Sequence, residues 1–198
     1  MGEKEITNIY FIRHCEPDYT NHDDKIRPLT KKGLQDSLLV TKFLADKNID
    51  TALLSPYKRA VDTIKDFSNS QNLTIELIKD FRERKISDEW IKDFDSYSAK
   101  QWEDFTYKLS DGESLMEAQS RNIAALQKVI TEHEGKNIII GSHGAALSTI
   151  IAYYDKSFNY DNFSEMKGLM PWIVHFTFDK ENCINIETFD ILKLEKEE

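Results

Sequence analysis

Two segments of this chain, ITNIYFI at 6–12 and NIIIGS at 137–142, are short, β-rich and almost continuously apolar. Strands with no polar face are those covered on both sides, so these two belong inside a layered sheet. DTALLS at 50–55 and LTIELI at 73–78 repeat the pattern, with helix-like stretches between them. Strands alternating with helices predict an α/β fold: a three-layer α/β/α sandwich around a mostly parallel central sheet. No internal repeat, low-complexity block or Pro/Gly linker divides the chain, so residues 1–198 are read as one domain.

The intervening stretches carry helix signals. Thr30 is placed to cap a helix on which Leu34, Ser37, Thr41 and Leu44 recur at helical spacing. Ser55-Pro56 reads as a start, with the hydroxyl as cap and proline at the first helical position. Ser110-Asp111-Gly112-Glu113 fits a capping box opening a helix with Met116, Ile123, Leu126 and Ile130 on one stripe, which Gly135 ends. Trp172, Val174, Phe176 and Phe178 alternate with Ile173, His175 and Thr177, a strand that a turn at 180–182 joins to INIETFDIL as a hairpin. The segment 84–108 breaks the alternation. Its Trp90, Phe94 and Tyr97, then Trp102 and Phe105, predict one or two amphipathic helices, a small insertion at about 84–110. That insertion either packs on the body or frames a site as a lid.

A formal charge of −9, from 35 acidic and 26 basic residues, argues against nucleic-acid binding, which calls for a basic face. An anion site must here be compact, built from a few arginines. Two cysteines, Cys15 and Cys183, are too few for a secreted disulfide framework. MGEKEITN has no apolar signal core, and Ile6 stands where a myristoylation motif has Ser or Thr. No apolar run approaches the ~20 residues of a membrane span. These features predict a cytoplasmic protein with no membrane partner, its charged KLEKEE tail a solvated end.

In open α/β sheets, sites form at the carboxyl ends of strands beside helix N-termini. Arg13-His14 ends the first strand, Ser55 the second with Arg59 one turn into the next helix, and Ser142-His143-Gly144 the NIIIGS strand. Arg82-Glu83-Arg84 follows the fourth. Each cluster alone is weak, but together they supply nucleophile, charge clamp and proton donor for phosphoryl transfer. FIRHCEPD offers two nucleophiles, His14 and Cys15. A cysteine phosphatase needs an arginine six positions after its cysteine, where this chain has Asn21, and Pro17 removes an N–H from the intervening loop. His14, His22 and His143 with Asp23 or Asp24 could in number bind zinc. No local ligand spacing supports that, and Arg13 beside His14 repels a cation, so no metal is expected.

These segments resemble the histidine phosphatase superfamily, the phosphoglycerate mutase-like proteins. IRHCEP is similar to its Arg-His-Gly segment, RPLTKKG at 27–33 to its Pro-Leu-Thr-x-x-Gly step, and LLSPYKRAVDT at 53–63 to its Ser-Pro-x-x-Arg-Ala-x-x-Thr segment. FRERK resembles the region of its catalytic acid. DGES at 111–114 and IIIGSHGAALSTII at 138–151 resemble its Gly-Glu-Ser and Ser-His-Gly elements. Order and spacing agree across residues 6–151.

The resemblance implies a metal-independent, cofactor-free phosphatase acting on a phosphorylated small molecule. His14 is then the phosphorylated nucleophile, Arg13, Arg59 and His143 hold the phosphoryl oxygens, and Glu83 protonates the leaving group. Cys15 stands where the family has glycine. ISDEWIKD replaces the usual Gly-x-Trp-Glu-Gly after the acid, which keeps Glu89 as a second candidate; Glu83 is favoured by its place after DFR. The mutase run around Glu-Arg-His-Tyr is absent, which favours a phosphatase over a phosphoglycerate mutase. A non-catalytic phospholigand-binding module is the alternative of a different class, though a binder has no need of Glu83. His22 and Arg27, in the loop after the first strand, are candidate substrate contacts. His175 and His133 read as structural. Natural substrate and oligomeric state stay open.

Overall fold

A computed structural model describes residues 5–197 of the protein. The N-terminal reading that rests on residues 1–4 lies outside them. β1 (Ile6–Arg13) leads to α1 (Lys31–Leu44), β2 (Thr51–Leu54), α2 (Lys58–Ser70), β3 (Ile75–Leu77) and a 3-10 turn at Lys79–Phe81. α3 (Phe94–Glu103) and α4 (Leu115–Glu132) precede β4 (Asn137–Ser142), α5 (Gly144–Tyr154) and α6 (Tyr160–Met166). β5 (Trp172–Asp179), β6 (Asn182–Phe189) and α7 (Ile191–Glu197) complete the order.

The six strands form one sheet in the order β3-β2-β4-β1-β5-β6. β1 to β4 are mutually parallel, and β5 and β6 close one side as an antiparallel hairpin. Side chains of a strand alternate between faces, and here both faces are apolar. Ile9, Phe11, Leu53, Ile138 and Ile140 meet α4, α5 and α6 on one side. Tyr10, Ile12, Ala52, Leu54 and Ile139 meet α1, α2 and α7 on the other. The three-layer sandwich is thus present, and each fully buried Ile, Leu or Phe contributes ~1.5–3 kcal/mol toward it.

Several local expectations change. On α1 the buried side is Gly33, Asp36, Ser37, Val40 and Leu44, and Leu34 is exposed. Gly33 is needed there because a Cβ would lie 2.3 Å from the Glu16 carbonyl oxygen. α2 starts at Lys58 with Tyr57, not Ser55, at the N-cap and no side-chain cap; the Ser55 hydroxyl bonds the Tyr57 N–H and His143 instead. The capping box of α4 is Ser114 with Glu117, and Met116 faces solvent rather than joining the buried stripe. The insertion holds a single helix, α3, since Trp90 lies in an irregular stretch before it. The tail is helical through Glu197, with Ile191 buried and Glu195 paired to Lys42 at 3.0 Å.

Candidate active site

Strand register assembles the site. Arg13 pairs with Ser142 across β1 and β4, and Leu54 with Gly141 across β2 and β4. Two further main-chain bonds continue the ladder: His14 N–H donates to the Ser142 carbonyl at 3.2 Å and Ser55 N–H to that of Gly141 at 2.9 Å. Residues 13–14, 55 and 142–143 therefore stand side by side at the carboxyl ends of three parallel strands. Their side chains are buried, although their residue types are polar.

His14 donates its Nδ1–H to the carbonyl of Cys15 at 2.8 Å. A carbonyl only accepts, so this bond fixes the tautomer and leaves the Nε2 lone pair unprotonated. Burial, then the charges of Arg59 and Arg13, holds the imidazole well below its usual pKa and hence neutral. Cys15 has the opposite character. It is fully buried on the α1 and α2 side of the sheet, and burial pushes its thiol up to about 12. Its main-chain N–H is held by the Thr63 hydroxyl at 2.9 Å. The side chain that replaces the family's glycine is core packing.

Arg13, Arg59 and His143, the side chains expected to bind phosphate, lie around His14. Arg13 donates through Nη1 to the carbonyls of Met166 and Leu169, at 2.8 and 2.9 Å, which anchors it across the sheet end. Gly144 lets it pass: a Cβ there would lie 3.2 Å from the guanidinium carbon. His143 is the N-cap residue of α5, its ring centroid 5.3 Å from that of His14. Ser55 Oγ accepts the Tyr57 N–H at 3.3 Å and shares a hydrogen bond with His143 Nε2, 2.7 Å away. Burial and then the charge of Arg59 keep this ring neutral as well. Among the described residues, His143 Nδ1, Arg13 Nε and Ser142 Oγ are buried side-chain atoms with no partner. A buried polar atom without a partner costs ~1–3 kcal/mol, and these three lie together at the ends of β1 and β4.

Arg59, almost fully buried, donates to the Asp24 carbonyl at 2.5 Å and pairs with the Asp24 carboxylate at 3.0 Å. Arg27 takes the same carboxylate oxygen at 3.0 Å. Its guanidinium also lies over Tyr19 and Trp90, and His22 stacks on Trp90 at 4.3 Å. His22 and Arg27 thus belong to a loop that meets the insertion. Among the described residues no group of three His, Cys, Asp or Glu side chains is arranged for a metal ion.

Glu83 lies against the N-terminus of α5. Its Oε1 accepts N–H bonds from Arg84 at 2.8 Å and Ala146 at 3.1 Å, and its Oε2 accepts one from Ala145 at 3.1 Å. A carboxylate offers about four acceptor sites, so Oε2 retains one for a proton. The segment carrying Glu83 is clamped from behind: Arg121 grips Glu113 with two bonds and donates to the carbonyls of Asp80 and Arg82. Glu89 is exposed. From the sequence, Asp24 is weighed only as a metal ligand, and Tyr57 and Thr63 have no role beyond the 53–63 segment. Only Thr63 had a signal, one helical turn after Arg59, where its hydroxyl bonds the Arg59 carbonyl at 2.8 Å.

A doubly covered α/β sheet with a buried histidine at one strand end and buried arginines beside it suits a protein that handles anionic groups. The model of the histidine phosphatase superfamily (branch 1) matches residues 9–186, and the chain belongs to that family. It is 27% identical over 151 residues to the uncharacterized phosphatase PhoE of Bacillus subtilis, covering 74% of this chain and 76% of that one. Its fold is that of Entamoeba histolytica phosphoserine phosphatase in complex with 3-phosphoglyceric acid: TM-score 0.76, 21% identity, 94% of this chain and 99% of that one. A mycobacterial glucosyl-3-phosphoglycerate phosphatase gives TM-score 0.74 at 16% identity, over 92% and 97%. Family membership and the phosphatase-named relative support phosphoric monoester hydrolysis, with a phosphohistidine as the family's general intermediate.

Proposed function

We propose that the protein is a metal-independent phosphatase that hydrolyses small phosphomonoesters through a phosphohistidine at His14. The observation that carries this reading is the 2.8 Å bond from His14 Nδ1 to the Cys15 carbonyl, which frees Nε2 beside two buried arginines. Arg13, Arg59 and His143 hold the phosphoryl oxygens as negative charge spreads in the transition state, and each such donor is worth ~10²–10³ in rate. Nε2 attacks phosphorus, the P–O bond to the leaving group breaks, and Glu83 delivers a proton to the departing oxygen. The Glu83 carboxylate then takes a proton from water, which attacks phosphorus and releases His14 and inorganic phosphate.

The insertion at 84–110 acts as a rim for the leaving group. Trp90 stacks on His22 and lies under Arg27, and Lys167 of the segment after α6 pairs with Asp95 of α3 at 2.6 Å. His22 and Arg27 are then the side chains that touch the leaving group. Relatives named for phosphoserine and glucosyl-3-phosphoglycerate favour small phosphorylated metabolites as substrates. Two free thiols suit the cytoplasm, and no described helix is long and apolar enough to cross a membrane. Rapid quenching during turnover of a phosphorylated-metabolite panel tests the mechanism. It should trap an acid-labile phosphoenzyme that maps to His14; a phosphoryl group on any other residue refutes it.

A further inference from the structure

Arg84 has no part in the mechanism above, yet it is a buried cation, 3% exposed. Taking an arginine out of water costs several kcal/mol, and a methionine of similar length fills such a space without that cost. The contacts around it indicate what it is for. Its Nε donates to Gln101 Oε1 at 2.6 Å, and its guanidinium lies 5.7 Å from the Phe94 ring centroid. Gln101, fully buried in α3, is itself fixed by donating to the carbonyls of Tyr107 and Glu113 at 3.1 and 3.2 Å. The anion in reach of Arg84 is Glu83: Nη1 lies 3.8 Å from Glu83 Oε1, the same oxygen that accepts the Arg84 main-chain N–H at 2.8 Å.

From this chain of contacts we infer that Arg84 is the positioning residue for Glu83, and that α3 holds it in place through Gln101. Arg84 secures Oε1, so that Oε2, with its open acceptor site, is the oxygen that carries the transferable proton. The insertion thereby acts on proton transfer as well as on the leaving-group rim. The inference rests on the reading of Glu83 as proton donor. The contact to Glu83 is longer than a hydrogen bond and rests on charge, which a lysine keeps, whereas the short directional bond to Gln101 needs the guanidinium Nε–H.

The test compares an alkyl phosphate, glycerol phosphate, with p-nitrophenyl phosphate, whose leaving group scarcely needs a proton. Glu83→Gln should slow the alkyl ester by ~10²-fold or more and the aryl ester far less. Arg84→Met should show the same bias at smaller size, roughly tenfold against under about threefold, and should add no further loss in the Glu83→Gln background. Arg84→Lys, which keeps the charge but loses the bond to Gln101, should recover part of the alkyl rate that Arg84→Met loses. If Arg84→Met does not fold, Arg84→Gln carries the same expectation. Equal losses on both esters for the Arg84 variants, or full additivity with Glu83→Gln, overturn the positioning role and leave the phosphatase reading standing. An unbiased Glu83→Gln overturns the acid assignment, and the inference about Arg84 with it.

Discussion

Replacing Asp24 with asparagine should tighten the binding of inorganic phosphate. The Asp24 carboxylate lies 3.0 Å from Arg59 Nη1 and 3.0 Å from Arg27 Nη1, so an anion of the protein already holds the guanidinium that the proposed mechanism assigns to a phosphoryl oxygen. A phosphate must displace that carboxylate or share the arginine with it. A sheltered hydrogen bond to a charged group contributes ~1.5–3 kcal/mol. The Asp24 side chain is 38% exposed, which moves the value toward the ~1 kcal/mol of solvent-exposed ion pairs. A gain of ~1–2 kcal/mol corresponds to a Kd for phosphate lowered ~5–30-fold. Asparagine keeps the size and an acceptor oxygen, and the Asp24 carbonyl still orients Arg59 from 2.5 Å. Competitive inhibition of p-nitrophenyl phosphate turnover by inorganic phosphate measures the change, which should shrink as salt is added. An unchanged or higher inhibition constant in Asp24→Asn refutes the competition. It would mean that the carboxylate aligns Arg59 for substrate.

Other expectations follow from the same geometry. Cys15→Ala should keep most turnover and resist iodoacetamide like the parent, since a thiol pushed up to about 12 is ionised to only ~10⁻⁴–10⁻⁵ near pH 7.5; His14→Ala should abolish the phosphoenzyme. Trp90→Ala should reorder preferences among phosphate esters while leaving inhibition by inorganic phosphate near its parent value, and parallel loss on all esters with a lower Tm would assign Trp90 to packing. His14 and His143 are held neutral when folded but take protons near pH ~6.5 when unfolded, so the unfolded state binds more protons below that pH. Stability should therefore be free of this penalty above pH ~6.5 and fall as pH drops below it, by up to ~1.4 kcal/mol per pH unit for each histidine. Half-buried His175 acts in the same direction. Urea titrations at pH 7.5 and 5.5 measure it, and equal stabilities would contradict neutral buried histidines.

Sheet and site were legible in the sequence to different depths. The apolar runs marked β1, β2 and β4 because doubly covered strands cannot hide their composition. The polar residues ending them stood out for the same reason. Helix starts were less legible, since a hydroxyl such as Ser55 can cap locally or reach His143, and the distant partner decides. Capping boxes had the same ambiguity: Glu113 was free to be a cap residue until Arg121 claimed it. Asp24 and Arg84 were noted in the sequence, but their roles were not legible, because Arg59 and Gln101 lie 35 and 17 positions away. The carbonyl that sets the His14 tautomer belongs to the next residue, but only the fold determines that it bends back to Nδ1.

The position of β4 between β1 and β2 also has a consequence for how the protein comes into being. The first 136 residues supply β1 and β2, but these strands are not neighbours; the slot between them is filled by a segment made much later. A growing chain can dock α1 on α2 early, yet Arg13 and His14 have no Ser142 or His143 to stand beside until residues 137–143 have left the ribosome. Pairings so distant in sequence form slowly. Regain of phosphatase activity during refolding should therefore lag behind regain of helical signal, and a nascent chain stopped before β4 should carry an open sheet edge that a chaperone recognises.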